Sequence, residues 1–166
     1  SALADTPSIV VSAGAKAILD LKKTVELLES IGVTLLGFKT NEFPAFYSQE
    51  SGIKNLTSVS NEKEVVDIYL ANKKAGLLSS VLVANPIKDE DEIPSEEINS
   101  IIELAIAEAK KLLISGKETT PFLLKLLKKK TNGKSLESNT SLALNNIKLG
   151  IEISKELNRV YENTTL

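Results

Sequence analysis

Lys16 occupies the position in this sequence best suited to covalent chemistry. It follows a β-branched run, Ser8 to Ser12, and three small residues, Ala13-Gly14-Ala15, and it precedes a helical pattern. In open α/β sheets, ligands bind beyond the carboxyl ends of the strands, and small side chains there let the backbone approach them. A partly desolvated lysine at such a place can form a Schiff base with a carbonyl such as an opened sugar aldehyde. From position alone, a solvated lysine in a first helical turn is the favoured interpretation, although cations are disfavoured at helix starts.

Several neutral polar residues are further candidates. Asn139 falls in the first turns of the last predicted helix, where it can donate to a ligand, although local capping is the favoured interpretation. Asn85 precedes a proline at a strand end and is interpreted as a turn residue, whereas Thr119 and Thr120 are expected to cap a helix. Asn145-Asn146 stands within an apolar helix, where asparagine is a poor helix former, so one of the two can face a partner, the sheet edge or the site.

The composition excludes several classes of catalyst. The chain has 166 residues and contains no Cys, His, Met or Trp. The absence of Cys excludes disulfides, thiolate zinc sites and cysteine nucleophiles, and the absence of His removes the usual general base. The four acidic residues from Asp89 to Glu92 are consecutive and lack the spacing of metal ligands. We therefore expect solvated carboxylates there rather than a metal site. Because no Met stands at position 1, we expect a chain that is processed, trimmed or a fragment.

The distribution of charge argues against a nucleic-acid partner. The formal net charge is −2, and of the 20 basic residues only Arg159 is an arginine. Proteins usually recognise bases and bind phosphates through bidentate hydrogen bonds from arginine side chains. The run Lys128-Lys129-Lys130 is expected to be the solvated end of a helix. No apolar run approaches the roughly 20 residues that cross a bilayer, and no signal peptide pattern is visible. We expect neither a nucleic-acid nor a membrane partner, and a cytoplasmic location.

Three strands and five helices are predicted to position these groups. Strands are expected at 8–12, 33–38 and 80–84, and helices at about 18–31, 61–75, 94–115, 122–131 and 136–161. Residues 39–60 have no strong period and are interpreted as a partly buried loop. A strand, a helix and a strand within about 30 residues form the βαβ unit of a parallel sheet. The predicted fold class is α/β, with a mostly parallel sheet flanked by helices. Because three strands are few for a doubly wound sheet, we expect an incomplete part of a larger three-layer α/β/α domain.

Five ordered blocks of this sequence resemble the pseudouridine-5′-phosphate glycosidase family. The blocks are Ile9–Asp20, Asn41–Tyr47, Val81–Ile87, Gly116–Leu124 and Ser135–Asn139, the last leading to Leu144-Asn145-Asn146. The resemblance covers nearly the whole chain and matches about the C-terminal half of the family's catalytic domain. It implies that residues 1–166 are one portion of a single domain.

The resemblance implies a reaction and two site residues. The family reversibly cleaves the C–C glycosidic bond of pseudouridine 5′-phosphate to uracil and ribose 5-phosphate. The lysine that matches Lys16 is the family's nucleophile and forms a Schiff base with the ring-opened ribose. An iminium is an electron sink, which suits a C-glycoside without a good leaving group. The asparagine that matches Asn139 contacts the uracil, and the resemblance further implies manganese and a homotrimer for the intact enzyme.

The resemblance also implies that this chain lacks part of the family's site. The family's acidic proton donor, a second lysine and the Asp-rich segment that holds manganese and substrate lie upstream of Ser1. Manganese ligands are therefore expected outside this chain, and Ser12 stands where the family commonly has Cys. We expect this polypeptide to be inactive alone. The alternatives are a non-catalytic α/β module that inherited the fold and binds or scaffolds a partner, and a sugar-phosphate binding domain of another α/β family.

Overall fold

A computed structural model describes residues 2–15 and 20–164 of the chain. Within these residues, four strands form one parallel sheet. The strands are β1 (Ile9–Ser12), β2 (Thr34–Phe38), β3 (Thr57–Val59) and β4 (Val81–Ala84), and they lie in the order β1-β4-β2-β3. Val81 of β4 is in register with Ile9 on one side and with Thr34 on the other. The predicted α/β fold with a parallel sheet is confirmed.

Five long helices lie where the sequence predicted helices. The helices of the described residues are α1 (Ala2–Asp5), α2 (Leu21–Ser30), α3 (Glu62–Lys74), α4 (Ser95–Lys111), α5 (Thr119–Lys130) and α6 (Lys134–Thr164), with 3-10 turns at Asp89–Asp91 and Gly116–Glu118. The predicted N-terminal cap is present at α3, because the Asn61 side chain accepts the N–H of Glu64 at 3.0 Å. The Glu64 carboxylate in turn accepts the N–H of Ser60 at 2.8 Å. No helix of residues 2–15 and 20–164 combines the length and hydropathy needed to cross a bilayer.

The sheet is covered by helices on both faces. Successive residues of a strand point to opposite faces, so β4 divides its side chains between two clusters. Val81 and Val83 pack with residues of α3 and α6, whereas Leu82 and Ala84 pack with Val25 of α2 and with Phe43. All four residues of β4 are buried, while all four residues of β1 are only half-buried. The described layers are thus helix, sheet and helix.

Three local predictions are wrong. The segment 39–60 is not all loop, because it contains β3, which is too short to leave a readable period. Neither Thr119 nor Thr120 caps α5, since that helix begins at Thr119 after Glu118 and no side chain caps it. Pro121 is tolerated in the first turn because the first four N–H groups of a helix lack partners. Helix α2 begins later than predicted, at Leu21.

Candidate functional site

The carboxyl end of β1 is held by the segment that follows β2. Gly14 forms an antiparallel bridge with Ala45, and the N–H of Phe46 donates to the carbonyl of Ala13 at 3.2 Å. Gly14 has φ +88°, and a Cβ atom there would lie 1.9 Å from the carbonyl oxygen of Pro44. The small residue at this position is therefore required by the close approach of two backbone segments.

Lys16, the predicted nucleophile, lies outside the described residues. The nearest described residues are Ala15, which follows the Gly14 bridge, and Asp20. The carboxylate of Asp20 caps α2 by accepting the N–H of Lys23 at 3.1 Å, and this hydrogen bond is the first cause of a lowered pKa for Asp20. The role of Lys16 stays a prediction.

Asn139 lies at a cavity between α5 and α6. The cavity has a volume of about 280 Å³ and is lined by Tyr47, Leu124, Lys125, Lys128, Ser135, Leu136 and Asn139. Asn139 is exposed, and its amide makes no hydrogen bond to the described residues. The hydroxyl of Thr131 accepts the N–H of Ser135 at 3.0 Å, so a residue other than Asn139 serves the first turn of α6. The amide of Asn139 is free to offer one acceptor and two donors to a ligand.

Tyr47 is the buried wall of this cavity. Its side chain is 3% exposed, and its ring packs edge-on against Phe46 with ring centroids 4.9 Å apart. The N–H of Ile93 donates to the carbonyl of Tyr47 at 2.9 Å, which fixes the backbone. The Tyr47 hydroxyl is a protonated donor at neutral pH, as tyrosine ordinarily is, and burial raises its pKa further above the usual value. Sequence reasoning missed this role, although the aromatic cluster around Tyr47 lies in a block that carries the family resemblance.

Lys125 and Lys128 bring positive charge to the same cavity. They lie three residues apart on α5, and residues with this spacing share a helix face. The prediction that Lys128 stands at a helix end is confirmed, since it lies in the last turn of α5. A cavity with an aromatic wall, a free amide and two cations suits a ligand that combines a flat polar ring with an anionic group.

Three asparagines connect the carboxyl end of β4 to α6. Asn85 is buried, and its side-chain amide donates to the side-chain oxygen of Asn146 at 3.0 Å, while Asn145 donates to the carbonyl of Pro86 at 3.3 Å. The N–H of Asn85 also donates to the carbonyl of Ser12 at 2.8 Å. The sequence left open what the asparagine pair faces, and the structure places it at the end of the sheet, in a positioning role.

The acidic run is less solvated than the sequence predicted. The carboxylate of Glu92 accepts the N–H of Gln49 at 2.8 Å, and the carboxylate of Asp91 accepts the hydroxyl of Ser141. In residues 2–15 and 20–164, no three acidic residues gather as a set of metal ligands. The described residues therefore do not fit a manganese ion, and the expectation that manganese ligands lie outside the chain stays a prediction.

Comparison with known proteins gives consistent similarities. A family model described as "Indigoidine synthase A like protein" matches residues 1–156. The chain is 48% identical to the pseudouridine-5′-phosphate glycosidase of Petrotoga mobilis over 94% of this chain and 51% of that protein. It is 41% identical to the protein of the same name from Thermotoga maritima over 95% of this chain and 53% of that protein. The chain thus spans about half the length of these relatives.

Two solved structures share the fold. An indigoidine synthase A-like protein from Thermotoga maritima aligns with a TM-score of 0.82 and 39% identity, covering 93% of this chain and 51% of that one. The prealnumycin C-glycosynthase AlnA, solved in complex with ribulose 5-phosphate, aligns with a TM-score of 0.89 and 28% identity, covering 97% of this chain and 53% of that one. In both comparisons the chain aligns with about half of the solved structure.

Proposed function

This chain belongs to the family of indigoidine synthase A-like proteins, and on that premise we propose that it supplies the nucleophile half of a pseudouridine-5′-phosphate glycosidase. The observation that carries the proposal is the similarity to curated glycosidases of that name at 41–48% identity over nearly the whole chain. The cavity beside Asn139 supports it, because its lining suits a pyrimidine base joined to a sugar phosphate.

We assign the base end of the substrate to Asn139 and Tyr47. The edge of uracil alternates carbonyl acceptors and N–H donors, and the Asn139 amide offers the complementary groups. The buried ring of Tyr47 gives the flat base an apolar surface. A sugar phosphate as the other end of the substrate is supported by the relatives' names and by the ribulose 5-phosphate bound to the similar C-glycosynthase.

The proposed reaction proceeds through the amine of Lys16. Opening of the ribose ring breaks the C1′–O4′ bond, O4′ takes a proton, and the amine nitrogen bonds to C1′ in its place and releases a proton. The nitrogen lone pair then forms a C=N bond as the C1′–C5 bond breaks. The electron pair of that bond goes to uracil, whose C5 takes a proton. Water hydrolyses the resulting iminium, which releases ribose 5-phosphate and restores the amine. This scheme assigns the proton donation to no residue of the described site. We propose that the donor lies in the part of the family's domain outside this chain, as the resemblance implies.

The remaining expectations belong to the same proposal. We propose that the chain releases no uracil alone, that manganese acts only in the intact enzyme, and that the intact enzyme is a homo-oligomer. A cytoplasmic location accompanies this proposal. The alternative, a non-catalytic binding or scaffold module, has its support in the half-length match and is an outcome of the test below.

Reductive trapping tests the nucleophile. The chain is incubated with ribose 5-phosphate and cyanoborohydride, digested, and analysed by mass spectrometry for ribosylated lysines. We expect the adduct to concentrate at Lys16, to disappear in Lys16→Arg, and to persist in the control Lys22→Arg, which alters an exposed lysine of α2. Adducts spread evenly over the lysines would refute the assignment of Lys16 and favour the non-catalytic module. Release of uracil from pseudouridine 5′-phosphate by the chain alone would refute the half-site.

A further inference from the structure

Helix α6 carries apolar side chains on two opposite faces. Leu142, Leu149 and Ile153 are buried against the rest of the protein. Four other apolar residues of α6 are between 47% and 57% exposed: Leu136, Leu144, Ile147 and Ile151. In a helix that turns about 100° per residue, these four fall within about 80° of one another and roughly opposite the buried face. We name them the outer stripe. A surface helix normally has one apolar stripe, whereas a helix that is apolar on opposite sides belongs inside a larger core.

Strand β1 is an apolar strand with an open side. In the described residues it pairs with β4 alone. The N–H groups of Val81 and Asn85 donate to the carbonyls of Ser8 and Ser12. In a parallel strand the backbone groups of successive residues point alternately to its two sides, so those of Ile9 and Val11 point away from β4. A continuous apolar run such as Ile9-Val10-Val11 is typical of a strand of a parallel sheet whose two faces are both covered. An open edge of this kind is a place where a further strand pairs.

A groove joins the open edge to α6. It has a volume of about 200 Å³, and its lining includes Ile9 and Val11 of β1 and Gly150 and Ser154 of α6. By helical position, Gly150 and Ser154 lie next to Ile147 and Ile151 of the outer stripe. At the other end of the stripe, Leu136 lines the cavity that contains Asn139. One apolar surface therefore runs from the edge of the sheet, along α6, to the candidate site.

We propose that this surface binds the half of the family's domain that this chain does not contain. That half supplies a parallel strand to the edge of β1 and apolar side chains to the outer stripe. The occupant follows from length: the chain matches the Petrotoga mobilis protein over 94% of its own residues but over only 51% of that protein, so a part of that relative nearly as long as this chain remains unmatched. Because the surface reaches the cavity, the bound half also closes the candidate site. The proposal rests on family membership and not on the reaction proposed above.

Co-purification tests the surface without any measurement of activity. The tagged chain of 166 residues is co-expressed with the untagged segment of the Petrotoga mobilis protein that it does not match. We expect a complex of one copy of each, identified by sedimentation. The double variant I147K/I151K is expected to retain at least about tenfold less of the partner, because it places two charges on the apolar contact. The control Leu27→Lys changes an apolar residue that is 60% exposed on α2, and we expect it to retain the partner fully.

Folding is checked separately, by circular dichroism and thermal unfolding of each variant alone. Ile147 and Ile151 are exposed, so their substitution is expected to leave both signals unchanged. Three results would overturn the proposal. In the first, the unaltered chain fails to retain the segment. In the second, I147K/I151K retains as much of the segment as the unaltered chain does. In the third, the chain forms a homodimer that I147K/I151K dissociates, and the segment does not bind. The last result would assign the surface to a second copy of this chain.

Discussion

Replacement of Gly14 by alanine is the sharpest test of how the end of β1 is built. The new Cβ atom would lie 1.9 Å from the carbonyl oxygen of Pro44, where nonbonded atoms need more than 3 Å, so one of the two backbone segments must move by more than 1 Å. At φ +88° the left-handed conformation also costs an alanine about 1–2 kcal/mol. The movement separates Gly14 from Ala45 and lengthens the hydrogen bond from Phe46 to Ala13, which is worth about 1 kcal/mol.

These terms together predict that Gly14→Ala lowers the free energy of unfolding by about 3–5 kcal/mol. Two glycines of the same chain separate the contributions. Gly32 has φ +77°, and the Cβ atom that alanine would add there meets nothing within 4 Å, so Gly32→Ala is expected to cost only about 1–2 kcal/mol. Gly150 lies within α6, where an added Cβ atom also meets nothing within 4 Å, so Gly150→Ala is expected to stabilise by up to about 1 kcal/mol.

Urea unfolding followed by far-ultraviolet circular dichroism measures all three variants under one set of conditions. The order of stability should be Gly150→Ala above the unaltered chain, then Gly32→Ala, then Gly14→Ala. A Gly14→Ala variant within about 0.5 kcal/mol of Gly32→Ala would refute the reasoning, because the contact with Pro44 would then contribute nothing beyond the backbone angle.

Three further predictions concern a cap, a buried hydroxyl and the cavity. Asn61→Ala should lower the free energy of unfolding by about 1 kcal/mol in urea titrations, because it removes the acceptor for the N–H of Glu64, whereas exposed Asn158→Ala should change it by less than about 0.5 kcal/mol. Burial raises the pKa of Tyr47 above 10.0, so the folded state holds this proton more tightly than the unfolded state does. The contribution of this group to the free energy of unfolding is complete below the unfolded-state pKa and is lost as the pH rises through the folded-state pKa. Thermal unfolding above about pH 10 should therefore show a smaller loss of stability in Tyr47→Phe than in the unaltered chain. Asn139→Ala should weaken the binding of uracil about fivefold, because it removes one hydrogen bond worth about 1 kcal/mol. Ligand-observed NMR measures this affinity, and Asn158→Ala should leave it unchanged.

The sequence predicted the elements whose signals are local. The apolar run of β4 and the capping residues of α3 both depend on neighbours along the chain, and both are confirmed. Strand β3 was missed because its three residues pair with β2 across a long loop, and only that pairing makes them a strand. Thr120 followed by Pro121 has the local signature of a helix start, but α5 begins earlier, at Thr119.

The candidate site shows the same division. Asn139 was singled out by its place near a helix start, yet its cavity is formed by residues from distant segments, and no pattern along the chain brings Tyr47 beside it. The pair Asn145-Asn146 was recognised as unusual and Asn85 was interpreted as a turn residue, but their hydrogen bonds across about 60 residues required the fold. Residue types are readable from sequence, whereas their juxtaposition is a tertiary property.

The hydrogen bonds along α6 explain how this chain holds its part of the candidate site in place. Asn146 is bonded to Asn85 at the end of β4, and Asn139 lies two helical turns away on the same face, at about 1.5 Å of rise per residue. Beside Asn139, the hydroxyl of Ser138 donates to the carbonyl of Asp91 at 2.7 Å. The helix is thus fixed at both ends of this stretch by contacts within the chain itself. The position of Asn139 relative to the end of the sheet therefore does not depend on the other half of the family's domain, whose proposed tasks are to cover the outer stripe and to supply a proton donor.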